Sequence, residues 1–402
     1  MSKPYRLFGG VVLLYFIIAL EVLIMISPFA AFFYAAFNPF LLFLTKWTAT
    51  RWLAGFFLPH MVLPPGFVLK AVRVGGSVLF VGGAITFLLC ASQVYFNKLS
   101  QRGPVLGGLY RWIRHPQYVA LALTGLGLAI LWPRFLTIAL WTIMVGLYYL
   151  LARDEERRMV AQFGDSYRKY IARTGMFVPR LVERIARKTP FPRYPALRAS
   201  GGFILIAILA VGGAFALRAY TVARLPLWSK GRVVALAILP SDAIMLEHRM
   251  ADLLELPEVK NRLEQDPGPV LVYLMPKNYV MQGMIADTDP RFRLYEQHHS
   301  LAMISDWIFH PFRHLEGGHM MMHHDMGNDS AQGAPSEATV RRLIFLSVHT
   351  SRETNAPASL FAINADRTPR FFIDADIHTL SLLNVKDLGP GTGWGLVPTP
   401  EF

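Results

Sequence analysis

Long apolar runs dominate the first half of the chain, at residues 8–36, 74–95, 117–131, 135–152 and 202–219. Each predicts a membrane-spanning helix, because none carries the polar face that a soluble amphipathic helix needs. Residues 39–59 are also apolar, but Lys46 and Arg51 interrupt them. That pattern predicts an interfacial or re-entrant helix, with a sixth span as the alternative. From residue 225 the pattern becomes that of a soluble domain. Short β-rich runs predict strands at Arg232–Leu239, Pro269–Met275 and Leu343–His349, and a hairpin of Ser359–Asn364 with Arg370–Asp374 around the loop Ala365–Pro369. Helices are expected at Ser241–Leu254, opened by a serine cap, and at Asp289–His310. The expected fold class is a polytopic α-helical membrane domain of about five transmembrane helices, followed by a soluble α+β domain.

Charge sharpens the division. The chain holds 40 Lys/Arg and 27 Asp/Glu, a net +13. Residues 1–224 hold 25 basic and 6 acidic residues, whereas residues 225–402 hold 15 and 21. The basic excess therefore belongs to the membrane part and marks loops on the cytoplasmic side rather than a nucleic-acid footprint. Three regions are expected: a membrane domain over 1–200 with a basic cytoplasmic segment at 153–200, a further helix and linker at 201–224, and the soluble domain at 225–402. Lys3 and Arg6, then Lys98, Arg102, Arg111 and Arg114, then the crowded 153–198 stretch all belong inside. Five spans place the soluble domain outside, which in a bacterial inner membrane is the periplasm. The basic 153–200 segment also suits the anionic headgroups of the inner leaflet. Glu21, deep in the first span, either lines a substrate pocket or pairs with Lys46 or Arg51. The lone cysteine, Cys90, lies within a span and permits no intrachain disulfide.

Residues 107–180 concentrate the chemistry. Trp132-Pro133-Arg134 alone separates the runs 117–131 and 135–152, so these two helices are antiparallel neighbours. At 1.5 Å per residue they measure about 22 and 27 Å. Their open ends bring Arg114 and His115 beside Glu155 and Glu156 at one membrane face. Pro116 suits a first helical turn, where its missing N–H is not needed. Free N–H groups there, with Arg114, favour an anion such as a carboxylate. The two glutamates accept hydrogen bonds from ribose hydroxyls or hold an ammonium group. Adjacent helical positions point about 100° apart, so the glutamates cannot share one role. The corner suits an amino-acid-plus-ribose ligand; the competing reading is a salt-bridge cluster at helix ends.

The same stretch resembles the isoprenylcysteine carboxyl methyltransferase and phospholipid N-methyltransferase family of integral membrane enzymes. The resemblance rests on Arg114-His115-Pro116-x-Tyr118, the helical hairpin, Glu155-Glu156, Phe163-Gly164-x-x-Tyr167-x-x-Tyr170 and Pro179. It covers residues 74–180 and nothing beyond them. It implies S-adenosylmethionine as methyl donor, bound on the cytoplasmic side, with His115, Tyr118 and the glutamates in the site. Gly125 and Gly127 correspond to a glycine pair that lets cofactor approach a helix in the phospholipid branch, although glycines in membrane helices more often serve packing. Membrane sterol reductases, which use NADPH, share a similar ending in Arg153-Asp154-Glu155. The shorter membrane part and the Arg-His-Pro and Glu-Glu pieces favour the methyltransferase.

The expected function is methyl transfer to a lipid-like or hydrophobic small-molecule acceptor. His115, Glu155 and Glu156 are the candidate proton-handling groups, and Arg114, His115, Pro116, Tyr118, Gly125, Gly127, Glu155 and Glu156 the candidate cofactor contacts. A second reading draws on the soluble domain, which holds ten of the twelve histidines, seven of them between His298 and His324 among several methionines. Imidazole with thioether suits copper, with His314, His319, Met322, His323 and His324 as candidate ligands. In that reading the chain is a non-catalytic membrane subunit that binds metal or docks to other membrane-protein subunits. The partners expected are membrane lipids and the hydrophobic acceptor, not nucleic acid. No nucleotide-binding loop or nucleophile elbow appears.

Overall fold

A computed structural model of the chain describes residues 44, 46–59, 62, 66–187, 195–277, 339–349, 357–363 and 365–388. Five helices precede the sheet: α1 (Phe67–Leu99), α2 (Pro116–Leu131), α3 (Phe135–Arg173), α4 (Arg180–Arg187) and α5 (Pro195–Val222). α1, α3 and residues 200–222 of α5 are long and apolar enough to cross a membrane, and α2 is a shorter apolar helix. These four cover the expected runs at 74–95, 117–131, 135–152 and 202–219. The run 8–36, with Glu21, lies outside the described residues, so the expected count of about five spans stands at three long helices and one short one among them.

The chain divides into two compact units, one formed from 1–38 and 72–215, the other from 39–71 and 216–402. In the first, α1 turns Val74, Val78, Ile85, Leu88 and Leu89 outward, an apolar face that fits lipid rather than water. Its opposite side meets α2 at backbone distance. A Cβ on Gly127 would lie 2.4 Å from Phe80 N and 2.6 Å from Gly76 O, and one on Gly83 would lie 2.5 Å from Thr124 Oγ1. Small residues are what allow two membrane helices this approach. Trp141 of α3 donates its indole N–H to Ala122 O of α2 at 2.7 Å, locking the hairpin.

The second unit is built on a six-stranded sheet of β1 (Leu227–Lys230), β2 (Val233–Ala237), β3 (Val270–Pro276), β4 (Val340–His349), β5 (Asp366–Asp376) and β6 (Ser381–Asp387), in that spatial order. β2 and β3 are parallel and all other pairs antiparallel. The parallel pair needs a crossover, supplied by α6 (Ala243–Leu254) and α7 (Pro257–Glu264). Leu246, Met250, Leu253 and Val259 of that crossover pack on one face, against Ala235, Val272, Phe345 and Ile373. The other face buries Leu236, Tyr273, Ile344 and Phe372 beneath Val62, Leu360 and Phe361. Burial on both faces explains why Val233–Ala237 and Val270–Met275 are apolar without alternation.

Several expectations change. Of the helix expected at 39–59, the described residues show Leu44 in helical conformation and a 3-10 turn at Arg51–Ala54. This segment belongs to the sheet's unit: Arg218 donates to the Phe56 and Phe361 carbonyls, and Arg51 pairs with Asp366. The described residues 359–363 form no strand; Pro357–Phe361 forms a 3-10 turn that caps the core with Leu360 and Phe361. The expected loop 365–369 lies mostly inside β5, because Asp366–Pro369 pairs with β4. Pro369 is tolerated beside the register shift at Phe345/Leu346, where the ladder is already interrupted. α6 starts at Ala243 without a side-chain cap. Asp242 instead accepts two hydrogen bonds from Arg341, at 2.8 and 3.1 Å. A charge-assisted bidentate pair outweighs a cap. β1, β6 and α7 were not anticipated, being short or largely polar, and Asp289–His310 lies outside the described residues.

Two stability predictions follow from this packing. Gly127→Ala forces α1 and α2 apart and should cost about 1–3 kcal/mol, whereas Gly82→Ala, with nothing near its added methyl, should be neutral or slightly stabilising. Thermal unfolding of both variants in detergent checks this. Asp374 is 1% exposed and held by Arg342 at 2.7 and 2.9 Å. Asp374→Ala leaves that arginine without its counter-charge and should destabilise the sheet by about 3–5 kcal/mol, read by hydrogen exchange of the β4–β6 amides in the full chain.

Candidate active site

The corner is assembled by three backbone segments. Gly108, at φ +61°, opens the 3-10 turn Gly108–Arg111 in a conformation that favours glycine. The chain then runs beside a returning segment: Arg114 N donates to Gly175 O at 2.9 Å and His115 N to Met176 O at 3.2 Å. This leaves His115 as the N-cap of α2 and Pro116 in its first turn. The return is made possible within α3, where Gly164 (φ 55°, ψ −130°) breaks the helix. A side chain would have open space there but the wrong backbone conformation. Beyond the break, the Tyr170 hydroxyl donates to Tyr110 O at 2.6 Å, and Tyr167 is buried.

Within that frame the charged residues are unequal. Arg114 Nε donates to Glu156 Oε1 at 2.5 Å, and its Nη1 donates to the Ile171 and Thr174 carbonyls. The Arg114 and Glu156 side chains are 6% and 15% exposed, whereas Glu155 is 34% exposed. His115 lies between the two carboxylates. Its Nε2 is 3.3 Å from Glu156 Oε1 and its Nδ1 is 3.3 Å from Glu155 Oε2. The second contact is off-line and Coulombic, for Nδ1 makes no hydrogen bond. Glu155 Oε1 accepts from the Tyr118 hydroxyl at 2.5 Å. Tyr118 stacks on His115 at 5.7 Å and on Tyr148 at 5.0 Å, and Phe177 leans on His115 at 6.0 Å.

The structure thus brings together Arg114, His115, Pro116, Tyr118, Glu155 and Glu156. It does not add the two glycines. Gly125 lies ten residues along α2, about 15 Å from His115, against Met144 and Trp141, and Gly127 faces the α1 backbone. Both are filled by protein packing. Arg114 has two of its three nitrogens committed inside the corner, so its first task is to hold Glu156 and the 171–174 turn. Sequence reasoning missed Phe177, Thr174 and Tyr148. Tyr148 had a findable signal, for it stands seven residues before Glu155 on the same helical face. The residues weighed for copper, His314, His319, Met322, His323 and His324, lie outside the described residues. Among the described residues no group of three His, Cys, Asp or Glu is placed to hold a metal.

Burial works against the His115 imidazolium, but the hydrogen bond to Glu156 and the carboxylate charges of Glu155 and Glu156 outweigh it, so its pKa is raised above the ordinary 6.5. The two carboxylates therefore favour the imidazolium form of His115. A raised folded pKa contributes stability that is complete below 6.5 and is lost as pH rises through the folded value. The unfolding temperature of the native protein should fall relative to that of His115→Gln as pH is raised above 6.5, and equal slopes for the two proteins would remove the imidazolium from the corner.

One of three comparisons with known proteins bears on this stretch. No curated protein and no solved structure matches the chain significantly. The family model described as phospholipid methyltransferase matches residues 73–166, a stretch that includes α2, the hairpin turn and both glutamates. Residues 73–166 are thus similar to the phospholipid methyltransferase family, in agreement with the resemblance read from the Arg-His-Pro and Glu-Glu segments.

Proposed function

We propose that the chain is an integral membrane methyltransferase that uses S-adenosylmethionine and acts on a lipid-like acceptor. One observation carries the reading beyond the family match. Of the two adjacent glutamates, Glu156 is consumed by Arg114 and His115, while Glu155 stays one-third exposed beside the faces of His115 and Tyr118. A carboxylate left accessible among aromatic rings is the donor set for a ligand with hydroxyls and cationic groups. S-adenosylmethionine has both, and it supplies an electrophilic methyl group on a sulfonium.

The protein's part is binding, orientation and proton handling. Glu155 accepts hydrogen bonds from ribose hydroxyls or the ammonium group, and Tyr118 fixes its orientation. Arg114 and Glu156 hold the turn that carries them, so positioning is built in before a ligand arrives. The two carboxylates favour the His115 imidazolium over the neutral ring, so His115 is not the first choice of base. If the acceptor is an amine or alcohol, Glu155 is the group free to take the proton. A carboxylate or thiolate acceptor needs no base.

The setting supports a membrane acceptor. α4 exposes Leu181, Val182 and Ile185 between Arg180, Arg184 and Arg187, the composition of an interfacial helix on an anionic leaflet. Basic residues at 98–114 and 153–198 favour the cytoplasmic side for the corner. With the five spans that the apolar runs predict, residues 225–402 would lie in the periplasm of a bacterial cell.

The test is a titration of S-adenosylmethionine and its demethylated product into the detergent-purified protein, with NADPH as comparison. Binding of the first pair in the micromolar range is expected. Glu155→Gln should weaken it about 10- to 100-fold, the range for losing a charged hydrogen-bond partner. NADPH binding in their place would replace the methyltransferase by a reductase, and unchanged affinity in the variant would take Glu155 out of the site.

A further inference from the structure

Tyr148 has no role in the corner as described, yet its position is unusual. It is 2% exposed, and its hydroxyl has no hydrogen-bond partner. A buried phenol without a partner costs free energy, and native structures seldom tolerate one without a reason. Stacking does not supply the reason. Tyr148 lies on Tyr118 with ring centroids 5.0 Å apart, and phenylalanine would stack there as well without burying a lone hydroxyl.

Its address suggests what the hydroxyl meets. Tyr148 and Glu155 are seven residues apart on α3, so they share a helical face and are separated by about 10.5 Å along the axis. Tyr118 links them, its hydroxyl on Glu155 and its ring on Tyr148. The result is a column that starts at an accessible carboxylate and ends at an orphan phenol inside the apolar run 135–152. A neutral hydroxyl is the polar group that hydrocarbon surroundings admit at least cost, and it can both donate and accept.

We infer that the Tyr148 hydroxyl binds the polar group of the acceptor, on the bilayer side of the site, while Glu155 serves the cofactor side. The ligand class is an amphiphile whose hydrogen-bonding head is carried into the membrane on an apolar tail. This rests on the methyltransferase reading above.

Tyr148→Phe in the full-length protein separates the two. The probes are radiolabelled S-adenosylmethionine and total lipid extract of the producing cells, presented in mixed micelles at varied mole fraction. The expected result is a KM for the lipid extract raised about tenfold, with the affinity for the demethylated product unchanged. The unfolding temperature without lipid should be equal or higher, since the orphan hydroxyl is gone. An unchanged KM overturns the inference while leaving the methyltransferase intact, and a loss of cofactor affinity by the same factor overturns it by moving Tyr148 to the cofactor side. Native protein that binds cofactor but transfers no methyl group to the extract overturns the inference and the lipid-like acceptor together. Native protein that binds no cofactor overturns the methyltransferase reading itself.

Discussion

The Arg114–Glu156 ion pair is the constraint around which the membrane unit is arranged. Two charges removed from water lose hydration that their mutual attraction repays only when the remaining donors are also satisfied. Arg114 meets that condition by donating to the Ile171 and Thr174 carbonyls as well as to Glu156. Those carbonyls are within reach only because α3 breaks at Gly164 and the chain returns past Arg114. A glycine in the left-handed region, two tyrosines beyond it and a parallel clip at Ile113–Gly175 all serve one arginine. The spacing of Phe-Gly-x-x-Tyr-x-x-Tyr is then a consequence of burying that charge at a membrane face.

Once Glu156 is fixed, the adjacent position is free to differ. Neighbouring residues on a helix diverge by about 100°, so Glu155 turns away from Arg114 toward Tyr118 and solvent. His115 touches both carboxylates and couples the fixed one to the free one. A ligand that neutralises or displaces Glu155 therefore changes the electrostatic surroundings of His115 without loosening the frame. One glutamate supplies rigidity and the other is left accessible, a division that neither could perform alone.

How much of this was legible in the sequence depends on range. The hairpin was, because three residues between two apolar runs leave no other arrangement, and with it the meeting of residues 114–115 with 155–156. The inequality of the glutamates was not. It depends on the returning segment 171–176, whose contacts with Arg114 and His115 come from backbone carbonyls that no side-chain pattern announces. The glycines of α2 show the opposite failure. Gly125 and Gly127 enter as cofactor clearance only through the resemblance, against the commoner role in helix packing, and the neighbours Met144, Trp141 and Phe80 fit packing. In the sheet, the largely buried strands β2, β3 and β4 declared themselves through apolar runs, whereas β6 alternates weakly between half-buried and exposed positions and left no clear signal. The hairpin expected at 359–374 failed because β5 takes its partner from β4, a distant segment, rather than from the residues just before it.

The site also follows the gradient in polarity that a membrane boundary imposes. Formal charges gather at the helix ends, where water reaches Glu155 and the buried pair is sheathed in carbonyls. One turn deeper along α2 the polar group is a phenol already bonded to that carboxylate, and within the apolar run of α3 it is a phenol bonded to nothing. Each step inward exchanges a more costly polar group for a cheaper one, as desolvation requires. A ligand that spans this gradient must be ordered the same way, with its charged, hydroxyl-rich part at the carboxylate and its least polar part in the bilayer. Two molecules entering from opposite sides, one from water and one from lipid, satisfy that order more readily than a single water-soluble ligand does, and their reacting groups would meet along Tyr118.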